Sequence, residues 1–341
     1  MSPSLNSVFE DAIRVTPQGS NKYGAYLHPE WCIGTVPHGG YTTAVLYRLA
    51  TTHFAHAHPK QYSSPAKPIS LQLSFLRRTA SGAAICEVED VKLGLRTSTI
   101  HVKLLQESEK HRGTYEVKVA GYITVSPPDA EVGISAETGW IPHPSAPPGS
   151  GPNGKIDFAA LSKRGSDGAW KLLEPPFPEF RRAAAQLELY GPGKGEAQQR
   201  RTGSMAIDQW ARFRPGGDTN ARWTDAAVVY LLDMFPMALD GFDTVSATAA
   251  AKAQGAEVSG NIAKFWYPTV TLNIDMKKHL PAEGVEWLYS RIVTKVVRDG
   301  RTDLDVTVLD PNGEVIALST QVGLVVSASR NLGSRKVQQK L

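Results

Sequence analysis

One plan occurs twice along this chain: a strand, then an amphipathic helix, then four strands. That repetition limits the fold more than any other feature. The two copies match best in one strand, where PISLQLSFLRR aligns with PTVTLNIDMKK, so that Leu71 pairs with Leu272 and Leu73 with Ile274. This phase leaves the leading prolines, Pro68 and Pro268, one residue out of step. TIHVKLLQ similarly aligns with LDVTVLDP near the next hairpin. Alternating apolar positions such as Leu71, Leu73 and Phe75 give each sheet one apolar face, and a helix with an apolar stripe can cover it. The chain has 341 residues, more than one compact core usually holds, which agrees with a duplicated unit.

In the first copy, Asn6 to Pro29 reads as two short strands with a turn at Gly19–Asn21. Gly39-Gly40 then leads into a helix carrying Ala44, Val45, Leu49, Ala50 and Phe54 at helical spacing. Strands are predicted over 68–77, 83–93, 97–106 and 114–125. In the second copy GSMAIDQWARFRP reads as a strand. TDAAVVYLLDMFPMALDG reads as a helix, with Thr224 as N-cap and Gly241 just past its end. Residues 265 to 326 then read as four strands. Residues 127 to 203 cluster prolines and glycines, and read as a long crossing between the halves with a short helix such as Phe180–Leu189.

The net charge of +4 is mild and gives no clustered basic face, so nucleic acid is not an expected partner. No apolar run approaches the roughly 18 residues that span a bilayer, and the first residues lack a secretory pattern. The two cysteines, Cys32 and Cys86, exclude a disulfide framework and point to a reducing compartment, the cytoplasm. The terminal Gln339-Lys340-Leu341 is near a peroxisomal Ser-Lys-Leu address but lacks its small first residue. No Gly-x-Ser-x-Gly occurs, which argues against an α/β-hydrolase.

On these residues the chain resembles the double hot-dog acyl-CoA thioesterases, in the thioesterase-like superfamily that includes the bacterial acyl-CoA thioesterase II group. The resemblance covers roughly 7–126 and 204–326. Its N-terminal cue is His38-Gly39-Gly40-Tyr41 followed by the Leu71–Arg78 strand. Its C-terminal cue is Asp275, Trp287-Leu288-Tyr289-Ser290, Thr294, Gly313-Glu314-Val315 and Thr320-Gln321-Val322-Gly323. The resemblance implies an α+β fold of two tandem units, each a long helix packed on a curved antiparallel sheet. The units would be 1–126 and 204–326, with 127–203 between them and a basic tail over 327–341. It implies hydrolysis of an acyl-CoA or acyl-carrier thioester without a cofactor or metal, and by analogy a homo-oligomer.

The resemblance makes Asp275, Thr294 and Gln321 the set that coordinates the attacking water. Chemically, an ionised Asp275 can accept a proton, while Thr294 and Gln321 can orient the water. Spacing alone reads differently. Asp275 is in phase with Thr271 and Asn273, and Gln321 is out of phase with Ile316, Leu318, Val322 and Leu324, which makes both solvent-facing. The oxyanion site is expected from the backbone amides of Gly39, Gly40 and Tyr41 at a helix N-terminus, with His38 beside them. Ser74 stands where Asp275 stands, so one centre per chain is expected, and Asp233 and Asp240 are read as structural. Tyr41, Phe235, Trp266 and Trp287 are expected to line an acyl tunnel. Arg77, Arg78, Lys277 and Lys278 lie at matching strand ends, where coenzyme A phosphates or plain solvent could meet them. His53, His56 and His58 look like a metal cluster but are assigned to the helix end, where imidazolium favours the dipole. The alternatives are a non-catalytic acyl-binding protein of this fold, or an enzyme acting on a biosynthetic acyl intermediate. Dehydratases and hydratases of the fold need an Asp-x-Asn-Pro-x-His stretch that is absent.

Overall fold

The structure is a computed structural model and describes residues 6–174, 178–193, 206–235 and 265–332. The first half holds α1 (Ser7–Ala12), β1 (Val15–Pro17), β2 (Lys22–Leu27), β3 (Cys32–Ile33), β4 (Val36–Pro37) and the long helix α2 (Gly39–Ala57). Four strands follow, β5 (Lys67–Phe75), β6 (Gly82–Lys92), β7 (Ser98–Glu107) and β8 (Tyr115–Ser126), each within a few residues of its expected span. The connecting segment carries α3 (Phe158–Arg164), β9 (Trp170–Leu172) and β10 (Leu187–Pro192), with a 3-10 turn over Arg182–Gln186. The second half holds β11 (Ala206–Phe213), α4 (Asp225–Leu231), β12 (Phe265–Trp266), β13 (Thr269–Met276) and β14 (Trp287–Val293). It ends with β15 (Val297–Arg298), β16 (Arg301–Leu309), β17 (Val315–Leu324), β18 (Val326–Ser327) and α5 (Ser329–Leu332).

One antiparallel sheet runs β1-β2-β6-β7-β8-β5-β13-β17-β16-β14-β11-β10-β9. Outward from the β5–β13 junction, the order β5-β8-β7-β6-β2-β1 on one side is matched by β13-β17-β16-β14-β11-β10 on the other. At the junction Gln72 pairs with Asn273, Leu73 with Leu272 and Leu71 with Ile274. Each of these pairs maps onto the pattern of the sequence repeat, so a local two-fold passes near Gln72 and Asn273. Joining the two sheets here removes an exposed edge from each.

The order also shows that β10 holds the place of β1. The sheet of the second half therefore reaches into the stretch expected to be only a crossing, with β10 from Leu187 and β9 at its edge. The Phe180–Leu189 region is a 3-10 turn entering a strand, not a helix. The connecting segment has a further role. Leu161, Trp170, Tyr190, Trp210, Trp287, Tyr289 and Leu309 form a second apolar cluster that Phe158 packs against. With this cluster on one face and the main core on the other, nearly every residue of β11 and β14 is buried.

The main core lies between the other sheet face and helices α2 and α4. Strands β1, β2, β5 and β7 all touch α2, so the sheet curls around it. A helix enclosed on most sides must be apolar on most sides, and Gly40–Tyr47 are all buried. Its buried hydroxyls bond within the helix, Thr42 Oγ1 to the His38 carbonyl and Thr43 Oγ1 to the Gly39 carbonyl. Helix α4 starts at Asp225 after Thr224 as expected, although the Thr224 hydroxyl makes no capping bond. Gly241 and Asp240 lie outside the described residues.

The start of α2 crosses the end of α4 at two glycines. A Cβ on Gly40 would stand 2.6 Å from the Tyr230 carbonyl oxygen and 3.0 Å from Asp233 Cβ. Backbone cannot yield as a side chain can, so Gly40→Ala should destabilise the fold by roughly 1–3 kcal/mol. A urea-denaturation midpoint that falls relative to the wild type checks this.

Candidate active site

Two β-bulges decide which side chains reach the interior. In β17, Val308 pairs with Ala317 and Leu309 with Val315, so Ile316 is an extra residue. Ile316 and Ala317 are both buried, and beyond them the buried positions are Ser319, Gln321 and Gly323. A bulge resets the two-residue alternation, and here it turns Gln321 inward and leaves Val322 and Leu324 outside. In β13, Thr269 pairs with Gly323 and Thr271 with Val322, so Val270 is the extra residue and Thr269 joins Gly323 on the inner face.

These inward side chains meet the end of α4. Asp233, two residues past the helix, is 3% exposed. Thr269 Oγ1 donates to its Oδ1 at 3.0 Å, and the Gly40 amide donates to its Oδ2 at 2.7 Å. Gln321 Nε2 donates to the neighbouring Leu232 carbonyl at 2.7 Å. His38 Nδ1 also accepts from the Gly40 amide, so the neutral ring carries its proton on Nε2, which stands 3.6 Å from Asp233 Oδ2. Burial pushes the Asp233 carboxyl above the usual carboxylate range, opposed by His38, the Thr269 hydroxyl and the Gly40 amide. Burial lowers the His38 pKa, with Asp233 working against it. The result is a buried carboxylate set against a neutral imidazole at the N-terminus of a 19-residue helix.

The sequence-predicted set is not brought together. Asp275 faces the other side of the sheet: its neighbours Ile274 and Met276 are buried, while its own side chain is 55% exposed beside Lys277. A water held by Gln321 on the inner face is out of its reach, so Asp275 and Gln321 do not face one pocket. Thr294 is buried on the inner side, one residue past Val293, whose partner Asp305 neighbours Leu304, the partner of Gln321. Two strand spacings, roughly 10 Å, therefore separate Thr294 from Gln321. Ser290 Oγ, Thr294 Oγ1 and Gln321 Oε1 are buried with no hydrogen-bond partner among the described residues.

Other expectations divide similarly. The Gly40 amide serves Asp233 and so is not free for an oxyanion. The Gly39 and Tyr41 amides have no recorded partner among the described residues. The Tyr41 ring is fully buried on Trp31, and its hydroxyl donates to the Ala12 carbonyl, so it supports the core and does not line a tunnel. Trp287 sits in the outer cluster under the Arg212 guanidinium, away from the helices. Phe235 packs on the main core. Lys278 is bound by Asp310 and Glu314, and Arg77 donates to the Val117 carbonyl, which fits a solvated rim.

Sequence reasoning took Asp233 as structural and did not name Thr269. The signal for Asp233 was a carboxylate between the apolar run Val228–Leu232 and Met234-Phe235, which must find donors if it is buried.

Residues 27–126 match the family model of acyl-CoA thioesterase N-terminal domains, and residues 158–325 that of the C-terminal domains. The thioesterase-like protein TwmA of Talaromyces wortmannii is 30% identical over 355 residues, covering 98% of this chain and 97% of its own. The chain belongs to the double hot-dog acyl-CoA thioesterase family. As a member it is a thioesterase-like hydrolase, and acyl-thioester hydrolysis is the chemistry its interior must serve. Solved structures share the fold. A putative thioesterase II from Thermobifida fusca superposes with a TM-score of 0.64 at 20% identity, over 93% of this chain and 98% of its own. An acyl-CoA thioesterase II from Mycobacterium marinum gives 0.59 at 17%, over 94% and 99%. A hot dog fold protein from Alicyclobacillus acidocaldarius gives 0.59 at 18%, over 94% and 98%. No described helix is long and apolar enough to cross a membrane.

The outward position of Asp275 has a direct test in this thioesterase. Asp275→Ala should leave thiol release from acyl-CoA within about twofold of the wild type and leave stability nearly unchanged, as expected of an exposed residue. Loss of turnover in that variant would return Asp275 to the site.

Proposed function

We propose that this thioesterase hydrolyses an acyl-CoA thioester at the crossing of α2 and α4, using a water held beside Asp233. The observation that carries this reading is one buried carboxylate, raised in pKa, beside a glutamine, a threonine and a helix N-terminus. Asp233 accepts the proton of the attacking water, for which a pKa closer to neutrality suits a general base better than an ordinary 3.9. Gln321, fixed through Leu232, and the Thr269 hydroxyl orient the carboxylate and the water. As the water oxygen bonds to the thioester carbon, the carbonyl oxygen becomes an oxyanion. The amides at the start of α2 are the donors nearest the carboxylate that could receive it. Collapse breaks the carbon–sulfur bond, and the thiolate recovers the proton from Asp233. Ser290 and Thr294 give the inner face of β14 a polar patch within an apolar wall, suited to an acyl chain that carries oxygen.

On this reading the first unit runs to residue 126. The second begins with the turn at Arg182–Gln186 that mirrors α1, earlier than the expected 204.

Asp233→Asn should lower kcat/KM by about 10²–10⁴-fold in a thiol-release assay across acyl-CoA chain lengths. The wild-type kcat/KM should fall on the acid side with a midpoint above the ordinary carboxylate value, because a proton on Asp233 blocks the base. The stability effect has a defined sign. The folded pKa is raised, so the fold binds a proton more tightly than the unfolded chain does. Stability therefore declines as pH rises from about 3.9 through the folded pKa, and Asp233→Asn should abolish that decline. Full activity of Asp233→Asn at every pH would overturn the assignment.

A further inference from the structure

At the far end of α2, two histidines and an aspartate converge. His53 lies in the last turns of the helix with its side chain fully buried, and His58 is the C-cap residue, with φ −127° and ψ 49°. Five positions apart, two side chains in a continuous helix would point to different faces. Departure from helical geometry at His58 turns its ring back toward His53, and the ring centroids stand 5.1 Å apart. Asp90 comes from β6, where Asp90 pairs with Ile100 and Lys92 with Thr99, so the ladder bulges at Val91 just beyond it. Its position in the alternation matches the buried Ala84, Cys86 and Val88, which aims it at the helix. His53 Nε2 stands 2.9 Å from Asp90 Oδ1, and His58 Nε2 stands 2.9 Å from Asp90 Oδ2. All three candidate donor atoms lie within 4.8 Å of one another.

We propose that His53, His58 and Asp90 form a binding site for a divalent transition-metal ion such as zinc. Two imidazoles and a carboxylate are ligands that zinc takes. In a tetrahedral site with bonds of about 2.0–2.1 Å, neighbouring donor atoms are roughly 3.3 Å apart. The two His–Asp separations of 2.9 Å need to open by a few tenths of an ångström, and no donor pair is more than 4.8 Å apart. Asp90 and His58 keep side-chain exposures of 25% and 20%, so an ion can enter and a water can complete its shell.

The support behind His53 is already built. Its Nδ1 stands 2.8 Å from the buried Tyr23 hydroxyl, which is also 3.1 Å from the Ser20 carbonyl. Without an ion, Tyr23 donates to Nδ1, and Nε2–H donates to Asp90. With an ion, the proton sits on Nδ1 and is received by Tyr23, whose own hydrogen turns to Ser20, and Nε2 ligates. The same groups satisfy both tautomers, and an outer partner of this kind is what metal-bound histidines have. Thirteen residues of helix place the site roughly 20 Å from Gly40, so the ion would clamp α2 to β6 and take no part in hydrolysis.

The test uses the full chain, stripped with a chelator and then given zinc. The expected result is one zinc per chain after gel filtration, measured by elemental analysis, with a higher melting temperature than in chelator. His58→Gln and Asp90→Asn keep a hydrogen-bonding group at each position but should lose the bound zinc. Tyr23→Phe should weaken zinc binding by about 10–100-fold, His56→Ala should bind normally, and thiol release should be the same with zinc or chelator. Substoichiometric zinc in the wild type, or full zinc in His58→Gln, would overturn the site and leave a hydrogen-bonded staple in its place.

Discussion

The antiparallel pairing of β5 with β13 is the interaction on which the rest of the structure depends. It makes two sheets into one, so that a single inner face receives both α2 and α4. Its register sets Leu71 and Leu73 against Ile274 and Leu272, and a shift of one residue would turn every one of these side chains to solvent. The local two-fold at Gln72 and Asn273 also fixes the helices relative to each other. The first turn of α2 meets the last residues of α4, which is the only reason an amide of one half can bind a carboxylate of the other.

The two ends of that helix contact hold carboxylates in opposite states. Asp233 has a single amide, one hydroxyl and a neutral histidine, and burial prevails, raising its pKa. Asp225 lies at the other end, in a cleft of about 590 Å³ between α2 and α4. Burial also works to raise its pKa. The His279 ring, the Leu280 amide and Lys67 together overcome that and hold it below the usual range. Lys67 Nζ stands 2.9 Å away and His279 Nδ1 3.1 Å. A carboxylate so fully countered joins the halves but has little basicity left. The under-compensated one is destabilising to bury and suited to take a proton.

The strands of the first half were legible because each keeps a clean alternation between turn residues. The site was legible only in part, for reasons that reside in particular residues. Gln321 was named, yet its alternation with Ile316 and Leu318 made it look exposed, since no pattern in the sequence marks the bulge at Ile316. Asp275 faces outward, as its phase with Thr271 and Asn273 indicated. Thr269 reads as an outward strand residue until the bulge at Val270 turns it. Asp233 was hidden in a helical pattern, where an acidic residue is most simply placed on the solvent side. Only the crossing with Gly39 and Gly40, a contact between residues distant in sequence, shows that it is enclosed. The proline-rich stretch hid β9 and β10 because short strands added at an edge need few alternating positions.

The bulges also separate the two halves of the duplicated fold. The first half has the same bulge: Pro68 pairs with Val125 and Ser70 with Thr124, leaving Ile69 extra where the second half has Val270. The geometry that turns Thr269 inward is thus present twice, but at the matching position stands Pro68, which has no hydroxyl to give. The residue opposite Leu71 is Ile123, where the residue opposite Leu272 is Gln321. A carboxylate placed at that end would meet a proline and an isoleucine. Asp225, at the other end of α4, is countered by Lys67 and His279 instead. Duplication preserved the backbone device in both halves, and side-chain divergence set a threonine and a glutamine at one place and a proline and an isoleucine at the other.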